Sequence, residues 1–80
     1  MILCCGEALI DFLPRKTAEG AFAYEPVCGG SVYNTAIALG RLGVPVGLYT
    51  GLSTDFFGDM LRDGLRASKV SLAFIKDWDK

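Results

Sequence analysis

Apolar residues along the 80-residue chain occur in short runs that turn residues separate. The run at 2–5 ends at a glycine and is typical of a strand that is buried on both faces. A second extended segment, 8–13, leads into a polar, turn-like stretch, and segment 21–26 then alternates large and small side chains. This pattern predicts a β-hairpin with Phe22 and Tyr24 on one face.

A first helix is predicted directly after the two adjacent glycines at positions 29 and 30. Ser31 is expected to be its N-cap, and apolar side chains then recur at helical spacing as far as Gly43. Pro45 lies just beyond this point and cannot continue a helix. We therefore expect the helix to end near Gly43.

Strands and helices alternate along the rest of the chain. The pattern indicates a buried strand at 46–50, a helix that Thr54 or Asp55 caps, and a third strand at about 72–75. This order implies right-handed crossovers and a parallel sheet, with the hairpin inserted after the first strand. The predicted fold class is therefore α/β.

Composition and charge argue against several classes of partner. Hydrophobic residues make up 51% of the chain, which is normal for a globular protein, and the formal net charge is only −1. The basic residues are scattered, so neither nucleic acid nor a membrane is an expected partner. Apolar runs are far shorter than the ~20 residues that span a bilayer. The first residues lack signal-peptide features, and a cytoplasmic location is expected.

The cysteine and histidine content limits the chemistry that the chain can perform. Cys4, Cys5 and Cys28 lack metal-ligand spacing, and we expect all three to be reduced and structural, with no metal ligand among them. The chain has no histidine, which removes Ser-His and Cys-His nucleophile pairs. Any acid–base chemistry must therefore use carboxylates.

The glycine pair Gly29 and Gly30 precedes a helix, at the kind of place where open parallel sheets bind ligands. Without a Cβ, these residues allow a ligand or another strand to lie against the peptide groups. A tight turn that binds no ligand is the alternative. The patterns G-x-G-x-x-G and G-x-x-x-x-G-K-[ST] are both absent from the sequence, which disfavours the two familiar phosphate loops.

Asp11 and Asn34 would complete a polar site around the glycine pair. A carboxylate accepts two hydrogen bonds, and an amide both donates and accepts, which suits neighbouring hydroxyl groups on a sugar. Two simpler explanations stay open at this point. Asp11 could face solvent on the hairpin, and Asn34 could bond a nearby carbonyl.

Three stretches of the chain, GEALIDFLP, CGGSVYNTAIALGRLG and TGLSTDFFGDML, resemble the N-terminal part of the ribokinase-like (PfkB) sugar kinases. The resemblance is greatest to bacterial fructokinases and 2-keto-3-deoxygluconate kinases, and it fades after about Ser68. It implies a ribokinase-like parallel sheet with flanking helices, in which residues 1–80 form the N-terminal part of the kinase domain. It also implies that the hairpin, 12–27, is a lid over the sugar and a possible homodimer contact, where Phe22 or Tyr24 would cover the sugar or meet the partner subunit.

By the same resemblance, Asp11, Gly29, Gly30 and Asn34 bind the sugar, and none of them is the catalytic base. The resemblance implies that the catalytic aspartate, the ATP site and the acidic motif that organises Mg²⁺ belong to regions absent from this chain. The complete protein would transfer the γ-phosphate of ATP to a sugar hydroxyl. Fructose is the favoured sugar, and a keto-deoxy sugar acid stays open.

Two other functions stay open on the sequence. The chain could be a non-catalytic fragment used for sugar binding or dimerisation. A nucleotide-binding oxidoreductase domain is the less favoured hypothesis, because no glycine loop of the required pattern follows the first strand.

Overall fold

The computed structural model describes residues 1–78, whose secondary structure follows the order that the sequence predicts. The elements are β1 (Ile2–Cys5), β2 (Leu9–Lys16), β3 (Phe22–Gly29), α1 (Ser31–Arg41), β4 (Val46–Leu52), α2 (Phe56–Ala67) and β5 (Ile75–Asp77). Neither helix in this described part is long and apolar enough to cross a membrane. The cytoplasmic location stays a prediction.

The strands form two separate sheets. β1, β4 and β5 form a parallel sheet in the order β1-β4-β5, with Cys4 of β1 opposite Leu48 of the central strand. β2 and β3 form an antiparallel sheet of their own, which begins where Leu9 pairs with Gly29. The predicted α/β class, with a parallel sheet, flanking helices and an inserted hairpin, is confirmed.

The core lies between one face of the parallel sheet and the two helices. Val46, Leu48 and Leu52 of β4 are at most 2% exposed, and they share this core with Leu61 and Leu65 of α2. Side chains alternate between the two faces of a strand, so every second residue of β4 points to the helices. The central strand is thus fixed by packing against both helices.

The opposite face of the parallel sheet is apolar and half-exposed within residues 1–78. Leu3, Tyr49 and Phe74 are 44%, 50% and 38% exposed. The Phe74 ring lies over Gly47, where an added Cβ would approach the ring to 2.9 Å. Parallel sheets are normally covered on both faces, so this face is typical of a contact with further protein structure.

Two strand predictions are wrong in detail. β1 is not buried on both faces, because it lies at the edge of the described sheet and Ile2 is 48% exposed. The third strand does not span 72–75 but begins at Ile75. A backbone hydrogen bond of 3.1 Å from Ile75 to the Leu72 carbonyl closes a turn across most of the predicted strand.

The hairpin strands are longer than predicted. β2 continues through Pro14, which pairs with Tyr24, so the turn is confined to about 17–20. Proline is tolerated here because both strands of a two-stranded sheet are edge strands, where a missing N–H need not break the ladder. The paired region therefore extends beyond both ends of the predicted segment 12–27.

Tyr33 joins the two helices through a buried hydrogen bond. Its side chain is 2% exposed, and its hydroxyl donates to the Leu61 carbonyl at 2.9 Å. Burial, assisted by Cys28, raises the pKa of the Tyr33 hydroxyl above its ordinary value, so the group stays a donor. A Cβ added at Gly64 would collide with this hydroxyl. The close approach of the helices therefore requires glycine at position 64.

We expect Gly64→Ala to destabilise the protein, although alanine normally favours a helix interior over glycine by about 1 kcal/mol. Tyr33→Phe alone should cost about 1 kcal/mol, because the buried Leu61 carbonyl, which also accepts a helical N–H, loses its hydrogen bond from the Tyr33 hydroxyl. The double variant should be more stable than the sum of the two losses predicts, since the colliding hydroxyl is gone. Urea unfolding of all four proteins measures this, with the exposed Tyr24→Phe as control. A loss of stability in the double variant equal to the sum of the two single losses would contradict the prediction.

Candidate functional site

The candidate site lies at the carboxyl end of β1, where the chain passes into the hairpin and the hairpin returns to α1. β3 ends at Gly29 and α1 begins at Ser31, so one residue separates strand from helix. This edge of a parallel sheet is the usual position of ligand sites in α/β proteins. The sequence-predicted residues Asp11 and Asn34 lie in β2 and α1, on either side of the junction.

Gly30 is the pivot between β3 and α1. Its φ of 101° lies in a region that residues with a side chain rarely adopt. A Cβ at this position would also lie 3.1 Å from the backbone carbonyl oxygen of Glu7. The prediction that Ser31 caps the helix is wrong: Gly30 is the N-cap and Ser31 is the first helical residue. The chain turns into the helix at Gly30 with a positive φ, which a serine at position 30 could adopt only with strain.

Gly29 is buried, and its missing side chain leaves room for Asp11. A Cβ at Gly29 would collide with the Asp11 carboxylate, which therefore lies directly against the glycine. Asp11 pairs with Val27 across the hairpin, two positions along β2 from the partner of Gly29, so both lie on one face. The close neighbour of Gly29 in this structure is thus a carboxylate of the same chain.

Asn34 lies in the first turn of α1 and is exposed. Its backbone N–H donates to the Gly30 carbonyl at 2.9 Å, which places Asn34 one helical turn beyond the pivot. The N-cap supplies no side chain to the first N–H groups of α1, and the first turn has no acidic residue. Within residues 1–78 the side chains of Asp11 and Asn34 make no hydrogen bond or ion pair with the protein, so the bond from Asn34 to a nearby carbonyl is not formed there.

Arg62 holds the carboxyl end of β4 at the same edge of the sheet. Its guanidinium donates to the Ser53 carbonyl at 2.7 Å and pairs with Asp77 at 2.7 Å, and its side chain is only 17% exposed. The loop after β4 is thereby tied to α2 and to β5. Arg62 was not among the residues that the sequence singled out, because a bond to a distant backbone carbonyl leaves no motif.

Asp55, one of the two predicted caps, is the N-cap of α2. Its carboxylate accepts the backbone N–H of Gly58 at 3.0 Å and the Ser53 hydroxyl at 2.5 Å. These hydrogen bonds, with that of Ser53 the larger, lower the pKa of the Asp55 carboxyl below its ordinary value. The first turn of α2 is therefore held in place next to the site.

The described residues do not fit a magnesium ion. No group of three or more His, Cys, Asp or Glu side chains within residues 1–78 is arranged to hold a metal. We therefore assign Mg²⁺ no ligand in this part of the protein. A cavity of about 260 Å³ lies at the opposite end of α1, between Arg41 and Lys69, away from the glycine pair.

Sequence comparison relates the chain to carbohydrate kinases. Residues 1–80 match the family described as pfkB family carbohydrate kinase. The chain is 56% identical over 70 residues to a fructokinase of Rhizobium leguminosarum bv. trifolii, a match that covers 88% of this chain and 22% of the relative. It is 32% identical over 74 residues to a 5-dehydro-2-deoxygluconokinase of Mesomycoplasma hyopneumoniae (strain 232). This match covers 89% of this chain and 22% of the relative. The chain thus spans about a fifth of the length of these relatives.

Structure comparison gives the same relationship. The fold superposes on the crystal structure of fructokinase from Xylella fastidiosa with a TM-score of 0.88 and 37% identity, over 96% of this chain and 25% of that one. A crystal structure of the Xylella fructokinase with bound ATP matches equally well.

Alanine at Gly30 should destabilise the protein more than alanine at Gly20. Both glycines have positive φ, 101° and 85°, so a side chain is strained at either position, and the ψ of 135° at Gly30 lies outside the left-handed helical region that other residues occasionally adopt. Only Gly30 also faces a backbone carbonyl, that of Glu7, whereas nothing lies within 4 Å of a Cβ at Gly20. Urea unfolding of the two variants compares their losses of stability, and equal losses would contradict the prediction.

Proposed function

Because this chain belongs to the pfkB family of carbohydrate kinases, we propose that it forms the sugar-binding part of a kinase. The complete enzyme transfers the γ-phosphate of ATP to a hydroxyl group of a sugar. The observation that carries the proposal is the Asp11 carboxylate, which lies against Gly29 beside the start of α1 and has no partner within residues 1–78. A carboxylate in this position can accept hydrogen bonds from two sugar hydroxyls.

Asn34 and the start of α1 complete the proposed sugar contacts. The amide of Asn34 donates to one sugar oxygen and accepts from another hydroxyl. The first N–H groups of α1, which no side chain of the N-cap satisfies, offer further donors to a sugar oxygen. Gly29 and Gly30 contribute by their small size, since they let Asp11 and the loop at Glu7 approach the helix.

The roles that we propose for this part of the kinase and for the rest follow from the chemistry of phosphoryl transfer. Catalysis of this reaction consists mostly of positioning and of stabilising charge. Residues 1–78 position the sugar, and we assign them no catalytic base. The base and the binding sites for ATP and Mg²⁺ belong, in this proposal, to the larger part of the kinase that the match does not include.

Fructose is the proposed substrate. It is favoured by the relatives named as fructokinases, from Rhizobium at 56% identity and from Xylella at 37%. A keto-deoxy sugar acid is the second candidate, supported by the relative named as a 5-dehydro-2-deoxygluconokinase at 32% identity.

We also propose that the hairpin is a lid over the sugar and a contact between two subunits. Its outer part carries Phe22 and Tyr24, which are 80% and 68% exposed, and such rings are typical of interfaces. The Phe22→Ser and Tyr24→Ser double variant should sediment as a monomer where the complete wild-type kinase sediments as a dimer. A monomeric wild-type protein would contradict this proposal.

Substitution of Asp11 or Asn34 tests the sugar site in the complete kinase. Wild-type enzyme should form ADP in the presence of fructose, faster than with ribose or 2-keto-3-deoxygluconate. Asp11→Ala and Asn34→Ala should each raise the KM for fructose by about tenfold or more, because hydrogen bonds that the sugar completes are lost. The KM for ATP should stay unchanged.

Asp63→Ala is the control for these variants. Asp63 is an exposed carboxylate of α2 that pairs with Arg66 at 2.9 Å, and its loss should leave both KM values unchanged. Wild-type KM for fructose in both site variants would contradict the site assignment. Wild-type protein that forms no ADP with any of the three sugars would contradict the proposed activity.

A further inference from the structure

The hairpin that carries Asp11 is attached to the rest of the molecule at its base. Ile10 and Cys28 pack against the core, whereas Phe22 and Tyr24 project outward and are mostly exposed. A two-stranded sheet is only marginally stable on its own and takes its orientation from the structure against which it packs. The position of Asp11 therefore depends on the few contacts between this hairpin and the helices.

One such contact joins Phe12 of β2 to Phe57 of α2. The two rings meet edge to face, with centroids 5.7 Å apart and planes at 83°. This geometry is the one that aromatic pairs favour. Phe57 also contacts the ring of Phe56, which is 68% exposed, at 5.6 Å, but both residues belong to α2. Of these two ring contacts, the one between Phe12 and Phe57 joins the hairpin to the helix.

Hydrogen bonds anchor the support on the helix side. Phe57 lies in the first turn of α2, which Asp55 caps through the backbone N–H of Gly58. Arg62 ties the same helix to the end of β4 through the Ser53 carbonyl. The Phe12 ring, which contacts Phe57, is consequently held in position relative to the parallel sheet.

Successive residues of a strand point to opposite faces, so Phe12 faces α2 while Asp11 faces Gly29. We propose that Phe12 and Phe57 are positioning residues, whose ring contact fixes the rotation of β2 and so holds the Asp11 carboxylate at the glycine pair. Neither ring needs to touch the sugar. The proposal rests on the proposed function, since Asp11 is the group that binds the substrate.

Phe57→Ala in the complete kinase is the first test. It should raise the KM for fructose about fivefold, the scale of one lost aromatic pair, while the KM for ATP stays unchanged. Phe57→Tyr keeps the ring and should restore the wild-type KM. Phe12→Ala together with Phe57→Ala should do little more than either change alone, because one contact is lost in all three variants.

Phe56→Ala is the matched control. It removes a neighbouring ring of the same helix that does not join the hairpin, and it should leave the KM for fructose unchanged. Hydrogen exchange gives a second readout that needs no activity: amides of β2 and β3 should exchange faster in Phe57→Ala and at the wild-type rate in Phe56→Ala.

An unchanged fructose KM in Phe57→Ala, in an enzyme that uses fructose, would overturn the proposal. An equal rise in Phe56→Ala would do the same, because the effect would then not depend on the hairpin contact. Wild-type enzyme that forms no ADP with any sugar would overturn the proposed function and the role of the ring pair in sugar binding. In that case the exchange rates still decide whether Phe57 holds the hairpin.

Discussion

The close packing around Gly29 and Gly30 is the constraint on which the arrangement of the site depends. Three segments converge there: the loop after β1 through the Glu7 carbonyl, the hairpin through the Asp11 carboxylate, and the start of α1. Each of the first two occupies space that a Cβ would fill. A side chain at Gly29 would displace the Asp11 carboxylate, and one at Gly30 would crowd the Glu7 carbonyl, so neither segment could keep its present position beside the start of α1.

The parallel sheet and α2 supply the rigid background for this junction. β4 is buried against both helices, and Arg62 and Asp55 fasten its carboxyl end to the first turns of α2. The ring of Phe57 then extends that support to the hairpin. The same helix that completes the core therefore also contacts the strand that carries Asp11.

Local patterns predict much of this fold, and long-range packing accounts for what they miss. Apolar periodicity locates α1 and β4, and residue type narrows the cap of α2 to Thr54 or Asp55, of which Asp55 is the N-cap in the structure. The third strand starts later than predicted, because the apolar residues before Ile75 form a turn and the paired segment of β5 begins at Ile75. Residue preference favours Ser31 as the cap of α1, whereas in the structure the chain turns into the helix one residue earlier, at Gly30, whose φ is positive.

The candidate site, too, is predicted only in part from the sequence. The glycine pair is visible as a motif, and the resemblance to sugar kinases suggests roles for Asp11 and Asn34. No sequence pattern indicates that Asp11 lies against Gly29, because the hairpin brings these residues together. The bond from Arg62 to the Ser53 carbonyl and the ring contact of Phe57 likewise depend on tertiary structure.

A crystal structure of the complete kinase with bound fructose would test the sugar site most directly. The account predicts sugar hydroxyls within hydrogen-bond distance, about 2.6–3.2 Å, of both the Asp11 carboxylate and the Asn34 amide. It also predicts that the sugar lies beside the start of α1. Fructose bound elsewhere, for example in the cavity between Arg41 and Lys69, with Asp11 facing only solvent, would contradict it.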